Sequence, residues 1–173
     1  MRHRLLIPAA VMTAVSGVCA PATFAAAPAG DQDTAFVRAA HQSNLAEIAA
    51  GQDAQKNAMT SCVKDVGAKL VTDHHKLDAD LKALAGKINV TLPTAPTAEQ
   101  QQKTKAVQEK AGTAGYDAAW LADQEAGHTK TLALIDQQIK SGSEVAVTSA
   151  AEKARPVVAM HLDMVRGGTC HTM

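Results

Sequence analysis

Between Thr60 and Ile88 apolar residues return at Val63, Val66, Leu70, Leu77, Leu81, Leu84 and Ile88. Spacings of three and four mark one buried face of an α-helix. One place on that stripe is taken by His74, within Leu70-Val-Thr-Asp-His-His-Lys-Leu77. A buried imidazole needs hydrogen-bond partners or a metal, because an unpaired polar group in a core costs about 1–3 kcal/mol.

Three more long helices are expected around this one. The first runs from Asp31 or Asp33, as its cap, to about Met59, and its stripe is Phe36, Ala40, Ser43, Glu47, Ala50 and Ala54. Asn89 to Pro96, with two prolines, ends the second helix. Thr97-Ala-Glu-Gln100 reads as a capping box for a short polar helix lasting until Gly112, lying on the surface. The third long helix spans Gly115 or Tyr116 to Lys140, with Leu121, Glu125, His128, Leu132, Ile135 and Ile139 on one face. After the turn Ser141-Gly-Ser143, a second capping box at Ser149-Ala-Ala-Glu152 opens the fourth, whose inner face is Ala150, Ala154, Val157, His161 and Met164. Pro156 should bend it just before His161, and Gly167-Gly168 should end it. The expected fold is all-α, a four-helix bundle.

Every stripe thus carries an ionisable residue: Glu47, His74, Glu125 with His128, and His161. Counted along the helices, Glu47, His74, His128 and His161 each lie about 18–20 Å from a helix end at 1.5 Å per residue, so they can share one layer at mid-bundle. Three imidazoles with one or two carboxylates suit zinc, iron, manganese or copper, whereas calcium and magnesium want more oxygen donors. Asp73, turned about 100° from the stripe, suits an outer role, holding a ligand histidine of a neighbouring helix. The competing reading is a metal-free Glu–His hydrogen-bond network that fixes helix register. His41 and His75 fall off the stripes and are expected in solvent. Met160, Met164, Cys170, His171 and Met173 form a softer set that could hold copper, although core methionines and a bridged cysteine are the preferred reading.

Composition narrows the setting. Basic Met1–Arg4 followed by the short apolar run Leu5–Val18 reads as a secretory signal, 1–27, cleaved after Ala25 or Ala27. The remaining chain, about 150 residues, makes one domain, a bundle over 31–168 with a tail at 169–173. A secreted or extracytoplasmic place, periplasm or cell envelope, is expected, without a lasting membrane span. Val18 stands where a lipoprotein signal wants a small residue, so Cys19 is not expected to carry lipid. With 17 basic and 17 acidic residues and no basic stripe bearing aromatics, nothing points to nucleic acid. The two cysteines left after cleavage, Cys62 and Cys170, form a disulfide more readily than a metal site in an oxidising compartment. No nucleophile–base pair or organic-cofactor motif is present, so binding or storage of one ion is preferred to catalysis. The alternative function is a structural or interaction module of the cell envelope; partner and oligomeric state are not specified.

Several short motifs, in order, carry a resemblance: Phe36-Val-Arg-Ala-Ala, Asn44-Leu-Ala-Glu47-Ile, Val71-Thr-Asp73-His74, Leu92-Pro93, Tyr116-Asp117, Gly127-His128 and Pro156-Val-Val-Ala-Met-His161-Leu. Together they resemble the exported bacterial, ferritin-like domain-of-unknown-function family 4142. That resemblance implies a ferritin-like bundle and marks Glu47, Asp73, His74, His128 and His161 as recurring polar positions. It implies no activity. Unlike di-iron bundles, the chain has Val158 and Val71 where a Glu three residues before His161 and His74 would stand, too few carboxylates for a di-iron centre. A ferritin-like crossover between the second and third long helices, carrying the short helix, would also bring Cys62 and Cys170 to one end, whereas an up-down-up-down bundle would hold them apart.

Overall fold

The computed structural model describes residues 30–172, so the proposed signal peptide lies outside the described residues. Five α-helices follow in order: α1 Asp31–Asn57, α2 Ser61–Lys87, α3 Ala98–Gln108, α4 Tyr116–Ser141 and α5 Val145–Val165, with a 3-10 turn at Arg166–Gly168. Helices α1 with α2 and α4 with α5 form two hairpins that pack into a four-helix bundle.

Polar contacts fix the direction of each helix. At one end, which we call the bottom, Asp117 at the start of α4 accepts from the backbone N–H groups of Met59 and Thr60, in the α1–α2 turn. The Cys62–Cys170 disulfide joins the start of α2 to the chain just beyond α5 at that same end. At the top, Asp33 of α1 accepts from Gln138 Nε2 and from the backbone N–H groups of Ser143 and Glu144 in the α4–α5 turn. So α2 and α4 run the same way, and the chain must travel the bundle's length between them. Residues 88–115, including α3, make that crossover, the connectivity that ferritin-like bundles also use. By tying residues 108 apart, the disulfide removes about 4–5 kcal/mol of loop entropy from the unfolded chain.

Local chemistry explains the helix ends. Thr60 caps α2 by accepting from the Val63 N–H, and Thr97 with Gln100 forms a reciprocal capping box at α3. Two expected caps are corrected. Gly30, not Asp31 or Asp33, precedes α1, because the Asp33 side chain is drawn into the α4–α5 turn. Glu144, accepting from the Ala146 N–H, caps α5, so Ser149 and Glu152 lie inside a longer helix and Pro156 at its middle. Gly167 and Gly168 end the helical run with φ of 68° and 65°, which glycine adopts without a Cβ clash.

The core has two apolar clusters with a polar layer between them. The lower one gathers Val63, Val66, Leu70, Tyr116, Trp120 and Val165; the upper one gathers Phe36, Val37, Leu81, Ile135, Val147 and Val158. Trp120 Nε1 donates to the Ala50 carbonyl and Tyr116 Oη to Asp53, so both buried aromatics have their polar atom paired. Below the polar layer α1 and α2 approach closely: a Cβ on Gly51 would stand 2.5 Å from the Gly67 carbonyl oxygen. Any side chain at Gly51 would force the two helices apart.

Candidate metal centre

His74 of α2, His128 of α4 and His161 of α5 meet in the layer between the two clusters, with 2%, 1% and 0% of their surfaces exposed. Their ring centroids lie 5.8 Å (His74–His128), 5.1 Å (His74–His161) and 5.4 Å (His128–His161) apart. Each ring is held by one nitrogen. His128 Nδ1 donates to the Gln124 carbonyl at 2.8 Å, His161 Nε2 to Asp73 Oδ2 at 2.8 Å, and His74 Nδ1 to Asn44 Oδ1 at 2.9 Å. Those oxygens are acceptors, so the proton of each neutral ring sits on the outer nitrogen. The inner nitrogens, His74 Nε2, His128 Nε2 and His161 Nδ1, then present lone pairs. None of the three has a hydrogen-bond partner. The three side chains can bring one nitrogen each within 4.8 Å of one another.

Burial sets the electrostatics. It holds His74 well below the ordinary histidine pKa, reinforced by His128 and His161. Burial also lowers His161 to about 4, against the raising effect of its bond to Asp73. Asp73 is itself pushed up by burial, but hydrogen bonds from Lys69 (2.6 Å) and His161 outweigh that and hold it below its ordinary value. The rings of His74 and His161 are therefore neutral at pH 7, the form that ligates metals.

The expected carboxylates divide. Glu47 is 8% exposed and its Oε2 has no partner, yet it is not in the group of three histidines. Burial raises its pKa, the nearby His128 ring and the Gln124 side chain oppose this, and Asp123 adds to it. Glu125 sits elsewhere: its Oε2 accepts from the Gly167 N–H at 3.1 Å. On a helix the residue four before His128 is about 40° from its direction and the residue three before about 60° to the other side. Gln124, fully buried, takes the inner position.

A family pattern described as a domain of unknown function, DUF4142, matches residues 19–167. The chain belongs to this family. Neither a curated protein nor a solved structure was found to match. The DUF4142 chain carries three buried histidines that could hold a metal.

Two buried polar residues, one in this layer and one outside it, are not expected from the sequence. Asn44 escaped because amides carry no charge to single them out, although it falls three residues before Glu47. His41, expected in solvent, is 3% exposed; its Nδ1 pairs with Asp78 at 2.5 Å and its Nε2 donates to the Pro93 carbonyl at 3.0 Å. The crossover covers this face of α1, which a stripe count aimed at the bundle axis overlooks. His75 is exposed, as expected. Cys170 is spent in the disulfide, and Met173 lies outside the described residues.

Proposed function

We propose that this DUF4142 chain binds a single transition-metal ion, zinc, iron, manganese or copper, through His74, His128 and His161, in an extracytoplasmic compartment. Glu47 is the available fourth donor, and Asp73 and Asn44 hold two of the rings in place. One observation supports the reading above others: three buried ring nitrogens converge with lone pairs and no partner. Three acceptors cannot satisfy one another, and a cation satisfies all three. The metal-free alternative, a network that only sets register in an envelope module, leaves these three nitrogens without a partner.

Location is supported by the basic, then apolar leader and by a cysteine pair bridged as in oxidising compartments. Among the described residues no helix is long and apolar enough to cross a membrane. A bound ion would supply Lewis-acid or redox chemistry; the chain itself supplies neutral imidazoles, oriented by oxygen acceptors and shielded between apolar layers. Elemental analysis of protein purified without chelator should find one ion per chain, lost in His74→Ala. Absence of stoichiometric metal, with no rise in melting temperature on adding any of the four ions, would reject the proposal.

A further inference from the structure

A cavity of about 560 Å3 opens between α1, α3 and α4, and Glu47, Asp123 and Gly127 line it. Glu47 is more than nine-tenths buried there, and its Oε2 is without a partner. Gly127 precedes His128 in the chain, and a Cβ at Gly127 would stand 3.3 Å from Glu47 Oε1. The carboxylate therefore occupies the space beside the backbone that carries one of the three imidazoles. Nearer the surface, Glu99 of α3 pairs with Lys103 at 3.0 Å and with Lys130 of α4 at 3.4 Å, so the wall's lysines are taken up by that one outer acid. Asp123 and Glu47 are outside these pairs, leaving the inner end of the cavity with the sign that draws a cation.

We infer that this cavity is the passage by which a divalent cation reaches the three imidazoles, and that Asp123 and Glu47 relay it inward. The inference rests on the metal-binding reading above. With Lys103 and Lys130 both paired to Glu99, the unpaired acids at the inner end are left to attract a cation, and such focusing raises the local concentration and arrival rate of a counter-ion by about tenfold or more. A second cavity, of about 520 Å3, is lined in part by Asn44, the hydrogen-bond partner of His74. Its walls are mainly apolar, including Phe36, Leu81, Leu84 and Val158, and its one carboxylate, Asp80, is paired with Lys76 at 3.0 Å.

The test is the rate at which metal-free full-length protein takes up cobalt(II), followed by its visible absorption in a stopped-flow instrument. Asp123→Asn should load about tenfold more slowly while reaching the same final occupancy. Ala46→Phe, which fills the acidic cavity, should slow loading likewise, and Ala150→Phe, which fills the apolar one, should leave it unchanged. Melting curves establish that each variant is folded. Wild-type loading rates in both Asp123→Asn and Ala46→Phe, or slowing by Ala150→Phe alone, would overturn the passage. Failure of the wild type to bind cobalt at all would instead reject the metal site itself.

Discussion

Two buried histidine environments lie one above the other along α1 and α2, and they differ in a single respect. His41 uses both ring nitrogens within the fold, one on Asp78 and one on the Pro93 carbonyl, while Lys82 completes Asp78 at 2.8 Å. His74, His128 and His161 use one nitrogen each and leave the other facing its neighbours. Burial is equal; hydrogen-bond completion is not. A histidine whose demand is met inside the fold serves the fold, here by fastening the crossover to the bundle. Three left incomplete at one point cost stability in the free chain and recover it only with a ligand.

The largest expected effect lies on the completed side. His41→Ala removes the partner of a buried carboxylate and unfastens Pro93, and should destabilise by about 3 kcal/mol, less than a fully orphaned ion because Lys82 remains. By contrast His74→Leu, of similar volume, exchanges an unsatisfied nitrogen for apolar contact and should change the metal-free stability by only about 1 kcal/mol. Urea unfolding of both variants measures the difference directly. Equal losses would mean that the three-histidine layer is as complete as the His41 pair.

Metal addition sharpens the same contrast. An ion at a hundredfold excess over its Kd stabilises a folded chain by about 2.7 kcal/mol. Wild type and His41→Ala should both gain this on titration with zinc, while His74→Leu gains none of it. A similar gain in His74→Leu would place the ion elsewhere.

How much of this contrast could be read from the sequence follows from what periodicity measures. Stripes three and four apart located the bundle and brought His74, His128 and His161 to one layer, because depth along a helix is a matter of counting. The crossover and the disulfide supported each other for the same reason: end-to-end geometry follows from helix lengths. Angular detail was less legible. Buried positions of α4 include Gln124 and Gln138, whereas the stripe expected from spacing runs through Glu125 and Ile139. A rotation of one residue is enough to exchange an amide for a carboxylate at the site. His41 was hidden because its partners, Asp78 and Pro93, come from a second helix and from a loop whose placement has no periodicity.

The next effect is on pH. His161 has a folded pKa of about 4 against about 6.5 in the unfolded chain. Between those values the unfolded chain takes up a proton that the folded one refuses. The stability this histidine confers is therefore full above pH 6.5 and falls by about 1.4 kcal/mol for each unit down toward pH 4. His74, also depressed, steepens the fall. Glu47, whose carboxyl is raised, acts in the opposite sense: its contribution is present below its unfolded value and is lost as pH rises through its folded one. Unfolding of the metal-free protein from pH 7.5 to 4.5 should show the loss, and His161→Leu should flatten it. Bound metal should move the midpoint to lower pH, because protons and ion compete for the same nitrogens. A flat profile in the wild type would mean that these rings already carry a proton in the folded chain.

The smallest effect decides which acid belongs to the layer. Glu125 and Glu47 are both carboxylates one or two turns from a cluster histidine in sequence or space, and only contact separates them. Glu125 accepts from the Gly167 N–H, at the left-handed turn that ends the helical run, and is half-exposed. Its bond is an ordinary one between a surface carboxylate and a backbone donor, so Glu125→Ala should cost about 0.5–1.5 kcal/mol and loosen the chain leading to Cys170. Metal stoichiometry and affinity should be unchanged, because no imidazole leans on it. Glu47→Gln keeps the shape but removes the charge beside His128, and should weaken the ion while leaving the fold intact. Parallel zinc titrations of the two variants read the distinction. Weaker binding in Glu125→Ala would return that carboxylate to the ion's coordination and require α4 to turn by about 60° from the orientation that buries Gln124.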